Sequence, residues 1–362
     1  MTMLLQGIIP AITTPFYYDG KIYFRKLEQN VDRYSRTPVT GMVVLGSTGE
    51  PVMLGDDEKH DVLRAAIEAA APHKVMIAGV GAESAIETVR MAEYAASLSY
   101  DVAMVRTPSY FKSQMKPENM LAYYRFVADR SPLPIAIYNF PPCTGYDIPV
   151  EVVATLAEHP NICAIKESSG NIEKVAALVA NTKHIAREAT VTERFEAATA
   201  RMLSQASGEK AAGELVSVAT LANSASGNAS SKPSSSAVEV VGSLRTRKKN
   251  VGFQVLVGTA QKLHALLSVG AVGGILAFAN CAPTACYEIY AAFKDRDEKL
   301  AEEKQQRIAA AATRIVSELG IPGLKYAMDL NGYYGGNARL PFLPLIADAK
   351  REIEQSMANI RN

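Results

Sequence analysis

Eight times along this chain a short apolar, β-branched run is followed by a stretch with helical periodicity. The runs are GIIPAITTP, GMVVLG, KVMIAGVG, DVAMVRTP, LPIAIYNF, NICAIKES, FQVLVGTA and GGILAFAN. Amphipathic segments such as 57–71, 84–98 and 149–158 lie between them. Strands that are apolar on both sides belong to a parallel sheet covered on both faces. Eight such units predict a closed (β/α)8 TIM barrel, an α/β fold. An open doubly wound sheet is the other arrangement, but no run is followed by the G-x-G-x-x-G that such sheets use for dinucleotides. From 283 to 362 the pattern is helical, with one break at GIPGLKYAMDLNGYYGG, and predicts a C-terminal helical extension.

The even spacing fails once. After the helical stretch 171–182, about 70 residues pass before FQVLVGTA. Residues 186–249 form a block with 13 Ala, 11 Ser and a single aromatic, Phe195. Its first part, 186–206, carries Val191, Phe195, Ala198 and Met202 at helical spacing and is expected to form a helix. Its second part, NSASGNASSKPSSSA, has too little apolar content to fold and is expected to be disordered. The basic cluster RTRKK at its end reads as a solvated linker end or as a binding patch. A block of this length inside a compact barrel is an insertion. The expected organisation is strands one to six in 1–185, a low-complexity insertion in 186–249 between helix six and strand seven, strands seven and eight in 250–282, and helices in 283–362. An insertion that leaves a helix and enters a strand lies on the N-terminal face, away from the face where barrel enzymes do chemistry.

Composition removes several functions. The 38 Lys and Arg nearly balance 37 Asp and Glu, so bulk charge gives no argument for nucleic acid or an anionic membrane. Four scattered Cys make no disulfide framework, and five His without H-E-x-x-H give a metal site little support. No apolar run reaches the ~18 residues of a membrane span, and MTMLLQGIIP lacks the positive n-region of a leader. A cytoplasmic location is expected.

The C-terminal ends of the strands carry the informative residues. Strand two ends in GSTGE (46–50), whose hydroxyls and turning backbone form either an anion nest or an ordinary Gly-rich turn. Strand five ends at Tyr138; alternation puts Ala136 and Tyr138 on one side and Ile135 and Ile137 on the other. An inward Tyr either packs in the core or relays a proton. Strand six carries Lys166, which shares a side with Ile162, Ala164 and Ser168 if it faces inward. A buried Lys is rare unless paired. Either Lys166 pairs with a carboxylate such as Glu167, or an apolar surround lowers its pKa and leaves a neutral amine that attacks ketones. Tyr110 lies just beyond the tip of strand four. Nest, Tyr and Lys together suit a 2-oxo acid, with its carboxylate on the nest and its ketone on the amine. No cofactor is required.

GSTGE, TPSYFK, YNFPPCTG and IKESSG, in this order and spacing, resemble the dihydrodipicolinate synthase / N-acetylneuraminate lyase superfamily of class I aldolases. The resemblance implies Lys166 as the Schiff-base lysine for pyruvate or another 2-oxo acid and Tyr138 as the general acid/base. It implies carboxylate binding by Ser47 and Thr48, with Ser47 also linking Tyr138 to Tyr110. Tyr110 would reach across a tight-dimer interface within a homotetramer. Gly258, Thr259 and Ile275 would line the pocket, Ile275 by its carbonyl, and Gly49 and Ser168 complete the substrate-binding set. The synthases carry an Arg where Cys143 stands, and a Thr-Thr pair where Ser47-Thr48 stands. The lyases carry an Asp-Glu pair where Thr259 and Ala260 stand. FQVLVGTA, GIPGLK and GYYGGNARLPF look like the 4-hydroxy-2-oxoglutarate aldolase branch, which forms pyruvate and glyoxylate. The alternatives are 4-hydroxy-tetrahydrodipicolinate synthase and the 2-keto-3-deoxy sugar-acid aldolases. A scaffold that kept the fold and gained an interaction segment is the reading without catalysis.

Overall fold

The computed structural model describes residues 2–208, 239–241 and 244–360. In chain order the strands are β1 (Gly7–Pro10), β2 (Gly41–Val44), β3 (Val75–Gly79), β4 (Val102–Arg106), β5 (Ile135–Asn139), β6 (Ile162–Glu167), β7 (Glu188–Thr192), β8 (Glu239–Val241), β9 (Leu244–Asn250), β10 (Gln254–Val257) and β11 (Gly273–Leu276). Eight of them, in the order β1-β11-β10-β6-β5-β4-β3-β2, make one parallel sheet. A parallel bridge from Ala11 to Val43 and the bond from the Ile12 N–H to the Val43 carbonyl bring its two edges together. The result is the (β/α)8 barrel that the eight apolar runs predict, with helices between the strands and a helical C-terminal part.

Alternation sorts the strand residues into two cores. Ile9, Val43, Ile77, Met104, Ala136, Tyr138, Ala164, Leu256 and Ile275 fill the barrel interior. Ile8, Val44, Met76, Val105, Ile135, Ile137 and Ile165 face the helices. β6 departs from the simple pattern. Ile135 pairs with Ile162, yet Ala136 pairs with Ala164, so Cys163 is an extra residue on β6. Such a bulge shifts the alternation by one. Ile162 therefore packs on the helix side, against the expectation that it shares a face with Lys166. Beyond the bulge the register is regular, and Tyr138 sits beside Lys166.

The described parts of the insertion are ordered against the barrel. β7, β9 and β8 form a separate antiparallel sheet in that order. The helix expected over 186–206 is thus corrected. Glu188–Thr192 is a strand, and the helix is Ala200–Gly208. Thr190, Val191 and Thr192 are consecutive β-branched residues that favour extended backbone, and the apolar spacing across the turn at Phe195 only imitates a helical period. The basic cluster is not a linker end; it lies in the central strand β9. Lys248 donates to the Thr190 hydroxyl, Lys249 to Gln6 Oε1, and Arg247 stacks over the Phe195 ring. The Ser-rich stretch 223–237 lies outside the described residues.

This sheet closes the N-terminal face. Ala189, Val191 and Ala197 join Leu4, Leu5, Val75 and Val102 in one apolar cluster beneath the barrel interior. Two arginines fasten it there. Arg201 donates to the carbonyls of Ile67, Ala70, Ala71 and Lys74, around the end of helix Asp56–Ala69. Arg187 donates to Ala157, His159 and Pro160 after helix Val150–Ala157. Orphan carbonyls at a helix end are the usual targets of such cations.

The C-terminal part also differs from expectation in one place. GIPGLKYAMDL is helical (Gly320–Leu330), with Pro322 in the first turn, where a missing N–H does no harm. Within the expected break, the chain bends at Leu319 with Gly320 at φ 64°, and the irregular part is its second half, 331–336, which runs on to 346 before the last helix Ala347–Met357. No helix among the described residues is long and apolar enough to cross a membrane.

Candidate active site

The ends of β2, β5 and β6 converge at the C-terminal mouth of the barrel. Lys166 is 4% exposed, and its amine lies over the Tyr138 ring, 4.1 Å from the centroid. No carboxylate of the described residues lies within ion-pair distance of it. Glu167, the partner that a structural Lys would need, points the other way. It accepts from Asn139 Nδ2 at 2.8 Å and from the Ser169 N–H at 2.7 Å, and it faces Lys174 at 3.4 Å. Strand alternation thus separates the neighbours Lys166 and Glu167. Burial without a countercharge disfavours the ammonium form and lowers the Lys166 pKa to about 7. At neutral pH a large fraction of this amine is an available nucleophile.

Tyr138 is 4% exposed, and its hydroxyl accepts from Ser47 Oγ at 3.3 Å. Burial raises its pKa, while the hydroxyls of Ser47 and Ser168 act in the other direction. The Phe140 ring stacks on it with centroids 5.7 Å apart. Ser168 Oγ sits so close to β10 that a Cβ on Gly258 would come within 1.9 Å of it. Only glycine leaves room for that hydroxyl.

Ser47, Thr48 and Gly49 form a single tight turn. Its bonds run from the Gly49 N–H to the Gly46 carbonyl and from the Glu50 N–H to the Ser47 carbonyl. The N–H groups of Ser47 and Thr48 have no protein acceptor among the described residues, and they sit beside two hydroxyls, as in an anion nest. The turn is flanked by Leu45 and Glu50, both with positive φ (59° and 57°). Non-glycine residues adopt that conformation only where surrounding contacts impose it.

A cavity of about 770 Å³ opens here, with Ser47, Thr48, Tyr138, Phe140 and Cys143 on its wall. Lys166 is not on that wall; the Tyr138 ring adjoins its amine. Cys143 is near enough to sense the Lys166 charge, and burial raises its thiol pKa, so it is neutral at neutral pH. Thr259 and Gly258 follow β10, and Ile275 lies within β11, its side chain in the barrel core. Gly49 is buried, with its carbonyl taken by the Thr14 hydroxyl at 2.7 Å.

Tyr110 stands apart. It is 79% exposed, and among the described residues its ring packs against Phe111. The link from Tyr138 through Ser47 to Tyr110 is therefore not completed inside one chain. Glu83 fixes this loop by accepting from the N–H groups of Ser109 and Tyr110 and from Arg106. Glu83 and Arg106 also line the cavity, as do Val316 and Phe342 of the C-terminal part. None of these four stood out in the sequence: Arg106 ends β4 and the others lie in loops or the C-terminal part, and only the fold brings them together.

The model of the dihydrodipicolinate synthetase family matches residues 4–191 and 215–360. The chain belongs to that family. It is therefore an enzyme, within a lyase and synthase family of class I aldolases. A 4-hydroxy-tetrahydrodipicolinate synthase of Exiguobacterium sp. is 26% identical over 98% of this chain and 97% of its own. One of Xanthomonas campestris pv. campestris is 40% identical over 49% of this chain and 58% of its own. Among solved structures, dihydrodipicolinate synthase DapA-2 of Bacillus anthracis superposes with TM-score 0.76 at 22% identity over 100% of both chains. YagE, a family member from E. coli K12 crystallised with pyruvate, superposes with TM-score 0.75 at 23% identity over 99% of both.

Proposed function

We propose that this enzyme makes or breaks a carbon–carbon bond next to a 2-oxo acid through a Schiff base on Lys166. The observation that carries this reading is a buried amine with no carboxylate partner, set against a Tyr–Ser hydroxyl pair. Lys166 Nζ attacks the C2 ketone of the 2-oxo acid, and loss of water leaves an iminium. Ser47 and Thr48 hold the carboxylate, which orients the ketone toward the amine. In cleavage, Tyr138 takes the proton of the C4 hydroxyl and the C3–C4 bond breaks. Its electron pair passes into the iminium, giving an enamine. Protonation at C3 and hydrolysis release pyruvate and regenerate the amine. Condensation runs the same steps backward from pyruvate and an aldehyde. The pyruvate bound by YagE supports the 2-oxo acid.

Two second substrates have support. The relatives named as 4-hydroxy-tetrahydrodipicolinate synthases support condensation of pyruvate with aspartate semialdehyde. The neutral thiol of Cys143, where the synthases carry a carboxylate-binding Arg, supports cleavage of a 4-hydroxy-2-oxo acid such as 4-hydroxy-2-oxoglutarate. The exposed Tyr110 fits the reading that a second copy in a homotetramer completes each site. Pyruvate release from a panel of 4-hydroxy-2-oxo acids, run beside pyruvate consumption with aspartate semialdehyde, separates the two. Turnover in neither direction, with no Lys166 adduct, contradicts the proposal.

A further inference from the structure

The last residue of the GSTGE turn is held from the far end of the chain. Glu50 is 1% exposed in a left-handed conformation, and its Oε1 lies 2.6 Å from Lys325 Nζ. Its Oε2 accepts from the Arg339 N–H at 2.8 Å. Lys325, fully buried on helix Gly320–Leu330, also donates to the Thr14 and Asn337 carbonyls at 2.8 Å each. Thr14 in turn donates its hydroxyl to the Gly49 carbonyl. Both routes from Lys325 therefore end on the turn that carries Ser47 and Thr48.

We propose that Glu50 and Lys325 are positioning residues that hold the Ser47–Thr48 turn in its carboxylate-binding geometry, so that the C-terminal helical part sets the affinity for the 2-oxo acid. This rests on the assignment of the carboxylate to that turn. A packed apolar pair would attach the helix to the barrel at least as well, because burying two charges costs what their attraction returns. What an ion pair adds is a single permitted geometry. Here it falls on a residue in the left-handed region, two positions from Thr48 and three from Ser47.

The test is borohydride trapping on Lys166 of the full chain as a function of ketone concentration, using pyruvate and, in parallel, methyl pyruvate, which lacks the carboxylate charge. Glu50→Gln is expected to raise the pyruvate concentration for half-maximal trapping at least ~10-fold, and to change that for the ester less than ~2-fold. Equal shifts for both ketones, or none for pyruvate, overturn the proposal. If Glu50→Gln does not fold, Thr14→Val loosens the same turn without burying a charge. It is expected to shift pyruvate alone by ~3-fold or more, and an unchanged ratio of the two ketones overturns the proposal. A wild-type protein without any Lys166 adduct instead refutes the Schiff-base reading on which this rests.

Discussion

Lys166 and Lys325 are both buried in this chain and live in opposite surroundings. Lys325 has a carboxylate, two backbone carbonyls and the Phe16 ring around its amine. Lys166 has the Tyr138 ring and no carboxylate partner among the described residues. A third, Lys74 on the N-terminal face, is intermediate: it donates to the carbonyls of Thr37 and Val39, and burial lowers its pKa to about 8. Desolvation acts on all three amines, so burial alone does not mark a reactive lysine. An amine with neither a carboxylate nor a carbonyl of the described residues to donate to does, and of the three only Lys166 is in that state.

The comparison breaks first if Lys166 is dispensable. Lys166→Met is expected to lower turnover by more than ~10⁴-fold while raising the melting temperature, because the thioether removes a buried amine. The stability sign follows from linkage. The folded pKa near 7 lies below the unfolded one, so the unfolded chain binds the extra proton between pH 7 and the ordinary lysine range. The cost is full below pH 7 and fades as pH rises, and the gain in melting temperature should shrink in alkaline buffer.

Lys325→Met is expected to do the reverse. It strands the Glu50 carboxylate and should cost about 3–5 kcal/mol in a denaturant titration. A smaller effect comes from Tyr138→Phe, which keeps the ring over the amine but removes the proton carrier. Turnover should fall ~10²–10⁴-fold while the pyruvate adduct on Lys166 still forms. The rate of that adduct's formation should climb with pH through about 7 and level off above, as the neutral amine accumulates. The smallest effect lies on the opposite face. Arg201→Ala removes the clamp on helix Asp56–Ala69 and should cost about 1–3 kcal/mol of stability, with turnover within ~2-fold of wild type.

Much of the fold is legible in the sequence because parallel strands in a covered sheet are apolar on both faces and leave a repeating signal. The chemistry-bearing side chains are legible for the same reason. A Lys and a Tyr at the ends of such runs each have a structural use, a carboxylate pair or core packing, and it is their coincidence with the GSTGE turn on three strand ends that points to chemistry. What stays hidden depends on single residues or on long separations. The bulge at Cys163 adds one residue to β6 and turns Ile162 outward, and no composition signal marks it. The strand at 188–192 lies under an accidental helical period. Glu50 and Lys325 are partners only because the barrel closes and the last helices fold back on its mouth. Tyr110 is recognisable by its motif, yet its ring is exposed and packs on Phe111, and only its backbone N–H meets a cavity residue, Glu83.

The most direct measurement is borohydride reduction of the wild-type protein with pyruvate, followed by peptide mass spectrometry. An amine that donates to neither a carboxylate nor a carbonyl should carry the reduced adduct, so the modification is expected on the peptide containing Lys166 and not on those containing Lys74, held by two carbonyls, or Lys325, held by Glu50. No adduct at Lys166, or equal labelling of Lys325, would contradict the account.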